Sequence, residues 1–193
     1  LSTWGNLEEI TNIIPEDEIN ILKILDVDAN ELLHSSFIAW LIDRRASHSQ
    51  GNVFFKAFLD ACEINLLPKS LDSYRVWKER AEMESIIDIM VFRKGSFLIY
   101  IENKISSPEG IDQCNREFRD MRRIGLRLNI RTEDQYAVFL TPEGRKPQTG
   151  DIANWNPVSY KALHKSINNI LPNINHEKVK YYIEDWLDLI SSF

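Results

Sequence analysis

Apolar positions recur with two different periods along this chain, and the changes of period divide it into helical, extended and again helical regions. The first 65 residues read as helical. Leu33, Phe37, Trp40 and Leu41 stand at i, i+4, i+7 and i+8, the stripe of a helix that packs on its neighbours, with Asn30 before it as N-cap. After a polar stretch, Asp43 to Gly51, a second helix turns Val53, Phe54, Ala57, Phe58 and Ala61 inward. Beyond the loop Pro68 to Ser73 the period shortens to two. Tyr74 to Glu79, Ser85 to Phe92 and Phe97 to Glu102 predict three strands, the last two flanking Arg93-Lys94-Gly95 as a hairpin. A helix over about 109–125, with Ile111, Cys114, Phe118 and Met121 inward, separates these from an apolar strand, Gln135 to Thr141. Val158 to Tyr160 adds a short strand, and helices over about 161–171 and 176–191 close the chain. The last carries Val179, Ile183, Trp186, Leu187 and Ile190 on one face.

This order predicts an α/β fold. A helix between the third and fourth strands requires a crossover, right-handed by the general rule, which makes that pair parallel. The expected architecture is a mixed central β-sheet flanked by helices on both faces, in a single domain over 1–193. No apolar run reaches the roughly 20 residues that span a bilayer, and no signal-peptide pattern is visible. Two lone cysteines, Cys62 and Cys114, argue against a zinc ribbon or a disulfide framework, so a reducing, cytoplasmic setting is expected. The net charge of −6 argues mildly against a polyanion as partner, but it is unevenly spread. Residues 1–31 hold eight acids against Lys23 alone, whereas 116–131 hold six arginines against Glu117 and Asp120. A local basic stripe can bind phosphate on an acidic molecule.

The candidate chemistry lies in the hairpin. Glu102-Asn103-Lys104 closes the apolar run Phe97 to Ile101, and Asp88 interrupts Ile86 to Val91. Along a strand, residues i and i+2 share a face, so Glu102 and Lys104 point together and Asn103 points oppositely. With Arg93-Lys94-Gly95 as a three-residue loop, Phe92 pairs with Ser96 and Asp88 lies opposite Tyr100. Asp88 and Glu102 are then diagonal neighbours, with Cα atoms roughly 7–8 Å apart. Two carboxylates there suit a hard cation such as Mg²⁺, which polarises a phosphoryl oxygen and activates water beside the Lys104 ammonium. A solvated strand face on which Glu102 and Lys104 merely pair with neighbours is the plain alternative.

Weaker signals surround this one. Arg116, Arg119 and Arg123 form a helical stripe that can contact phosphates, or can equally be a solvated face bridged to Glu117 and Asp120. His34, three residues after Glu31, reads as a structural hydrogen-bonding group. Four scattered histidines make no zinc constellation. No P-loop or GxSxG elbow occurs.

The segment ESIIDIMVFRKGSFLIYIENKIS resembles the metal-binding hairpin of the PD-(D/E)xK nuclease superfamily. NELLHSSFIAWLID resembles that family's first helix, VFLTPEG its fourth strand and turn, and Trp155 with Val158-Ser159-Tyr160 its closing part. The resemblance implies a restriction-endonuclease-like αβββαβ core over about 30–163 with helical additions at both ends. It implies Asp88 and Glu102 as metal ligands, Lys104 as catalytic lysine, Glu31 as an accessory acid, Gln113 near the site and Glu79 as a further candidate. Ile87-Asp88 replaces the leading Pro-Asp, and Glu117 stands where the family often has a tyrosine four residues after Gln113. The activity implied is a deoxyribonuclease using Mg²⁺, with Mn²⁺ able to substitute. A non-catalytic nucleic-acid-binding or protein-interaction module on the same fold is the other reading.

Overall fold

The structure is a computed structural model that describes residues 19–193. The helical reading of residues 1–18, with the acids among them, lies outside the described residues. Three helices come first, α1 (Ile21–Ile24), α2 (Glu31–Ile42) and α3 (Val53–Ala61), followed by β1 (Arg75–Ala81), β2 (Ile86–Arg93) and β3 (Phe97–Asn103). Helix α4 (Gln113–Arg127) leads to β4 (Gln135–Thr141) and β5 (Asn156–Ser159), and α5 (Tyr160–Ile170) and α6 (Glu177–Ile190) end the chain. The strands form one sheet in the order β1-β2-β3-β4-β5. Both pairings within β1–β3 are antiparallel, while β3–β4 and β4–β5 are parallel. The chain is thus a mixed αβ fold with a central sheet and flanking helices.

Alternation along β3 explains why both faces are covered. Phe97, Ile99 and Ile101 enter a large apolar cluster with α2, α3, α5 and α6, whereas Leu98 and Tyr100 enter a second cluster under α4. Every residue of β3 is buried, as expected of a central strand. The five apolar residues expected on one face of α6 are all buried. Asn30 caps α2 as expected, its side chain accepting the Leu33 N–H at 3.1 Å.

Val53, expected inward on α3, is exposed, and three further local expectations need correction. The buried stripe of α2 runs through His34, Ile38 and Leu41, one position on from Leu33 and Phe37. Leu33 is exposed, and Phe37 is half-buried, its ring stacked on Trp186 at 4.9 Å. A polar residue, His34, takes the inner place because Trp186 Nε1 donates to its Nδ1 at 3.1 Å and its Nε2 meets the Asp28 carbonyl at 3.0 Å. That is the structural role expected of His34. Helix α4 starts at Gln113 rather than near Glu109, because Asp112 has φ +53°, and Ile111 ahead of it is exposed.

The third correction is the hairpin register. Arg93 pairs with Phe97 and Met90 with Tyr100, so the three-residue loop is Lys94-Gly95-Ser96. Tertiary contacts hold it there. The Gly95 N–H donates to the Leu128 carbonyl at 2.9 Å, and the Ser96 hydroxyl meets that of Ser70 at 2.8 Å. Gly95, with φ +69°, supplies the left-handed residue the loop needs. The shift is one residue on each strand, so parity survives, and continuing the ladder carries Asp88 directly opposite Glu102 instead of diagonally.

Candidate active site

The site forms at the end of β3, where a buried side chain fixes the backbone. Asn103 is fully buried and points away from Glu102, as period two requires. Its Nδ2 donates to the Ser35 hydroxyl at 3.1 Å and the Glu31 carbonyl at 3.2 Å, and the Tyr160 hydroxyl donates to its Oδ1 at 2.8 Å. Helices α2 and α5 therefore grip one face of the strand end. The Lys104 N–H adds a bond to the Leu140 carbonyl at 2.9 Å, continuing the pairing with β4.

At the same level the β1–β2 ladder is irregular. Glu79, inside β1, has φ +45°, and the ladder skips it and Asp88 opposite. Alternation reverses there. Ile87 joins Met90 and Phe92 under α4, although Ile89 and Val91 pack on the other face. On β1, Lys78 reaches Ser36 of α2, while Arg80 lies over the Trp77 ring. Asp88 sits at the reversal, and its Oδ2 accepts the Asn103 N–H at 2.8 Å. A left-handed non-glycine residue costs on the order of 1 kcal/mol. Here that strain accompanies an acid turned toward the neighbouring strand.

The acids and the lysine converge. Lys104 Nζ lies 3.1 Å from Glu102 Oε1 and 3.6 Å from Glu31 Oε2. Glu102 is 1% exposed and its Oε2 has no hydrogen-bond partner. Burial, then the carboxyls of Glu117 and Asp88, push Glu102 well above the usual carboxylate range. Burial pushes Asp88 up to about 6, against the pull of the Asn103 N–H. Burial also works against the Lys104 charge, but Glu102, Glu31 and Asp88 together hold it above the usual lysine range.

Glu31 sits beside Lys104 with its oxygens already engaged. Oε1 accepts the N–H groups of Ile105, Ser106 and Ser107, and Oε2 accepts the Ser107 hydroxyl. Those bonds, Ser107 foremost, overcome burial and hold Glu31 below the usual range. Its carboxylate shapes the turn after the Glu-Asn-Lys tripeptide.

Helix α4 supplies the rest. Gln113 Nε2 donates to Glu102 Oε1 and, at 2.8 Å, to Glu117 Oε1. Glu117 is buried, and burial pushes it up to about 8. The family resemblance placed Gln113 near the site, whereas Glu117 had a role only as a surface partner of the arginines, in one of two readings of that stripe. The i,i+4 spacing from Gln113 was the signal that puts Glu117 on the inner face. The arginine stripe is largely bridged. Arg119 pairs with Glu84 and Asp112, and Arg123 with Glu84 and Asp120, while Arg116 has no ion pair among the described residues.

Among the described residues, no three His, Cys, Asp or Glu side chains are grouped so as to hold a metal ion by themselves. No described helix is long and apolar enough to cross a membrane. No curated protein and no solved structure matches the chain. Residues 19–188, from the start of the described fold to the last turns of α6, match the family model of the PD-(D/E)XK nuclease superfamily, and the chain belongs to that superfamily.

Proposed function

We propose that the chain is a metal-dependent nuclease hydrolysing phosphodiester bonds in DNA, on a restriction-endonuclease-like αβββαβ core. The observation that carries the reading is Glu102. A carboxylate 1% exposed, with one oxygen unpartnered, is costly to bury unless a ligand meets it, and a lysine stands 3.1 Å away on the same strand end. Oxygen donors of this kind fit Mg²⁺ or Mn²⁺, which keep several waters and take one or two carboxylates. Asp88 and Glu102 would hold the ion, which supplies Lewis-acid polarisation of a phosphoryl oxygen and a water of lowered pKa.

The chain's own groups do the positioning. Lys104 brings an ammonium to the charge that develops on phosphorus. Glu31 fixes the turn behind Lys104, and Gln113 orients Glu102. Arg116, which has no ion pair among the described residues and adjoins Gln113 and Glu117, is the first choice for a phosphate contact. Arg119 and Arg123 contribute once released from Glu84, Asp112 and Asp120.

The test is cleavage of circular single- and double-stranded DNA with Mg²⁺, Mn²⁺ or a chelator. Cleavage is expected with either ion, none with chelator, and a loss of roughly 100-fold or more in Lys104→Ala. Undiminished cleavage in that variant would place the chemistry elsewhere. The Lys104–Glu102 ion pair, closed on itself, favours one alternative, a non-catalytic nucleic-acid-binding module. Salt-sensitive DNA binding without cleavage in any metal would select it.

A further inference from the structure

Glu117 is the least expected member of the site. A glutamate on the inner face of a helix, 1% exposed, lacks the usual compensation of a cationic partner, since Lys104 contacts Glu102 and Glu31 instead. One amide, Gln113 Nε2, donates to both Glu102 Oε1 and Glu117 Oε1, drawing two like-charged groups together rather than apart. Both remaining oxygens, Glu102 Oε2 and Glu117 Oε2, are buried and without any hydrogen-bond partner. Two orphaned carboxylate oxygens, on groups whose other oxygens share one amide donor, form an unfilled oxygen-donor pair.

We propose that Glu117 is a direct ligand of the divalent cation, completing with Glu102 a two-carboxylate site clamped by Gln113. This rests on the nuclease reading and moves the second carboxylate from the neighbouring strand to helix α4. Asp88, with one oxygen on the Asn103 N–H, would then serve chiefly to hold β2 against β3. The arrangement suits Mg²⁺ or Mn²⁺, for which two carboxylates and a set of waters suffice.

The experiment is calorimetric titration of Mn²⁺ and of Mg²⁺ into the chelator-treated chain, without nucleic acid, for the parent, Glu117→Gln, Glu102→Gln and Asp88→Asn. Glutamine keeps the volume and the acceptor for Gln113 and removes the charge. Glu117→Gln is expected to weaken Mn²⁺ at least tenfold, as Glu102→Gln does, and more than Asp88→Asn. Its thermal midpoint in chelator should equal or exceed the parent's, because the cost of burying an ionisable carboxyl is gone, while the upward shift that Mn²⁺ gives the parent should vanish. Should Glu117→Gln fail to melt cooperatively, Glu117→Asp replaces it, keeping the charge but shortening the reach, and is expected to weaken Mn²⁺ measurably. Unchanged Mn²⁺ affinity in the Glu117 variant, with loss in Glu102→Gln, would overturn the assignment and leave the nuclease reading standing. A parent that binds neither cation would overturn both.

Discussion

Asn103 shows how much of the site rests on a residue that takes no part in the chemistry. Its side chain satisfies Ser35, Tyr160 and the Glu31 carbonyl, while its N–H holds Asp88, so one residue fixes two helices and a neighbouring strand around the site. Asn103→Ala leaves the Ser35 and Tyr160 hydroxyls buried without partners, which costs about 2 kcal/mol. Chemical denaturation should report a loss of that size with an unchanged slope against denaturant, and an undiminished midpoint would mean that water replaces the amide. That Asn103 faces away from Glu102 and Lys104 was legible from strand alternation alone. Its partners were not, because they lie 68 and 57 residues away and no local pattern links them. Glu117 was legible in its spacing from Gln113 but not in its burial, since the acids and arginines around it make the helix look like a solvated face.

At the scale of elements, strong periodicity carried over and loop geometry did not. The bounds expected for β4 and the apolar face of α6 are those observed, since each is a long run with one clear period. The hairpin loop slipped by one residue because Ser70 and Leu128, which hold it, are remote in sequence. The packing of α4 on β4 is equally specific. Gly125 admits the Gln135 side chain so closely that an added Cβ would stand 2.1 Å from its amide nitrogen. Gln135 has little freedom to retreat, because it donates to the Ile130 carbonyl at 2.9 Å and accepts from Arg122 at 3.1 Å. In an open helix Gly→Ala gains roughly 0.5–1 kcal/mol. Here Gly125→Ala should instead destabilise by about 1–3 kcal/mol through overpacking. Adding Gln135→Ala to Gly125→Ala should recover part of the loss in a double-mutant cycle, whereas strict additivity would show that the two groups do not collide.

Across the described molecule, the strongly shifted acids fall into two sets with opposite effects on stability. Burial holds Asp88 at about 6 and Glu117 at about 8, above the ordinary carboxylate range near 4. Between about pH 4 and pH 8 the native state therefore keeps protons that the unfolded chain has released, and stability falls as pH rises. Glu109 belongs to the other set. Burial opposes its charge, but the Arg145 guanidinium and the N–H groups of Gln148 and Thr149 hold it at about 2. Its contribution is complete above about pH 4.5 and is lost as pH falls toward 2. In chelator, the thermal midpoint should thus climb from pH 8 to about pH 5 and drop again below pH 4. Glu117→Gln should flatten the limb between pH 5 and 8, and Glu109→Gln should reduce the drop on the acid side. A parent midpoint that rose steadily from pH 5 to pH 8 would mean that the carboxyls near Lys104 are ionised and compensated in the folded chain. The burial without a partner that singles out Glu102 and Glu117 would then lose its physical basis.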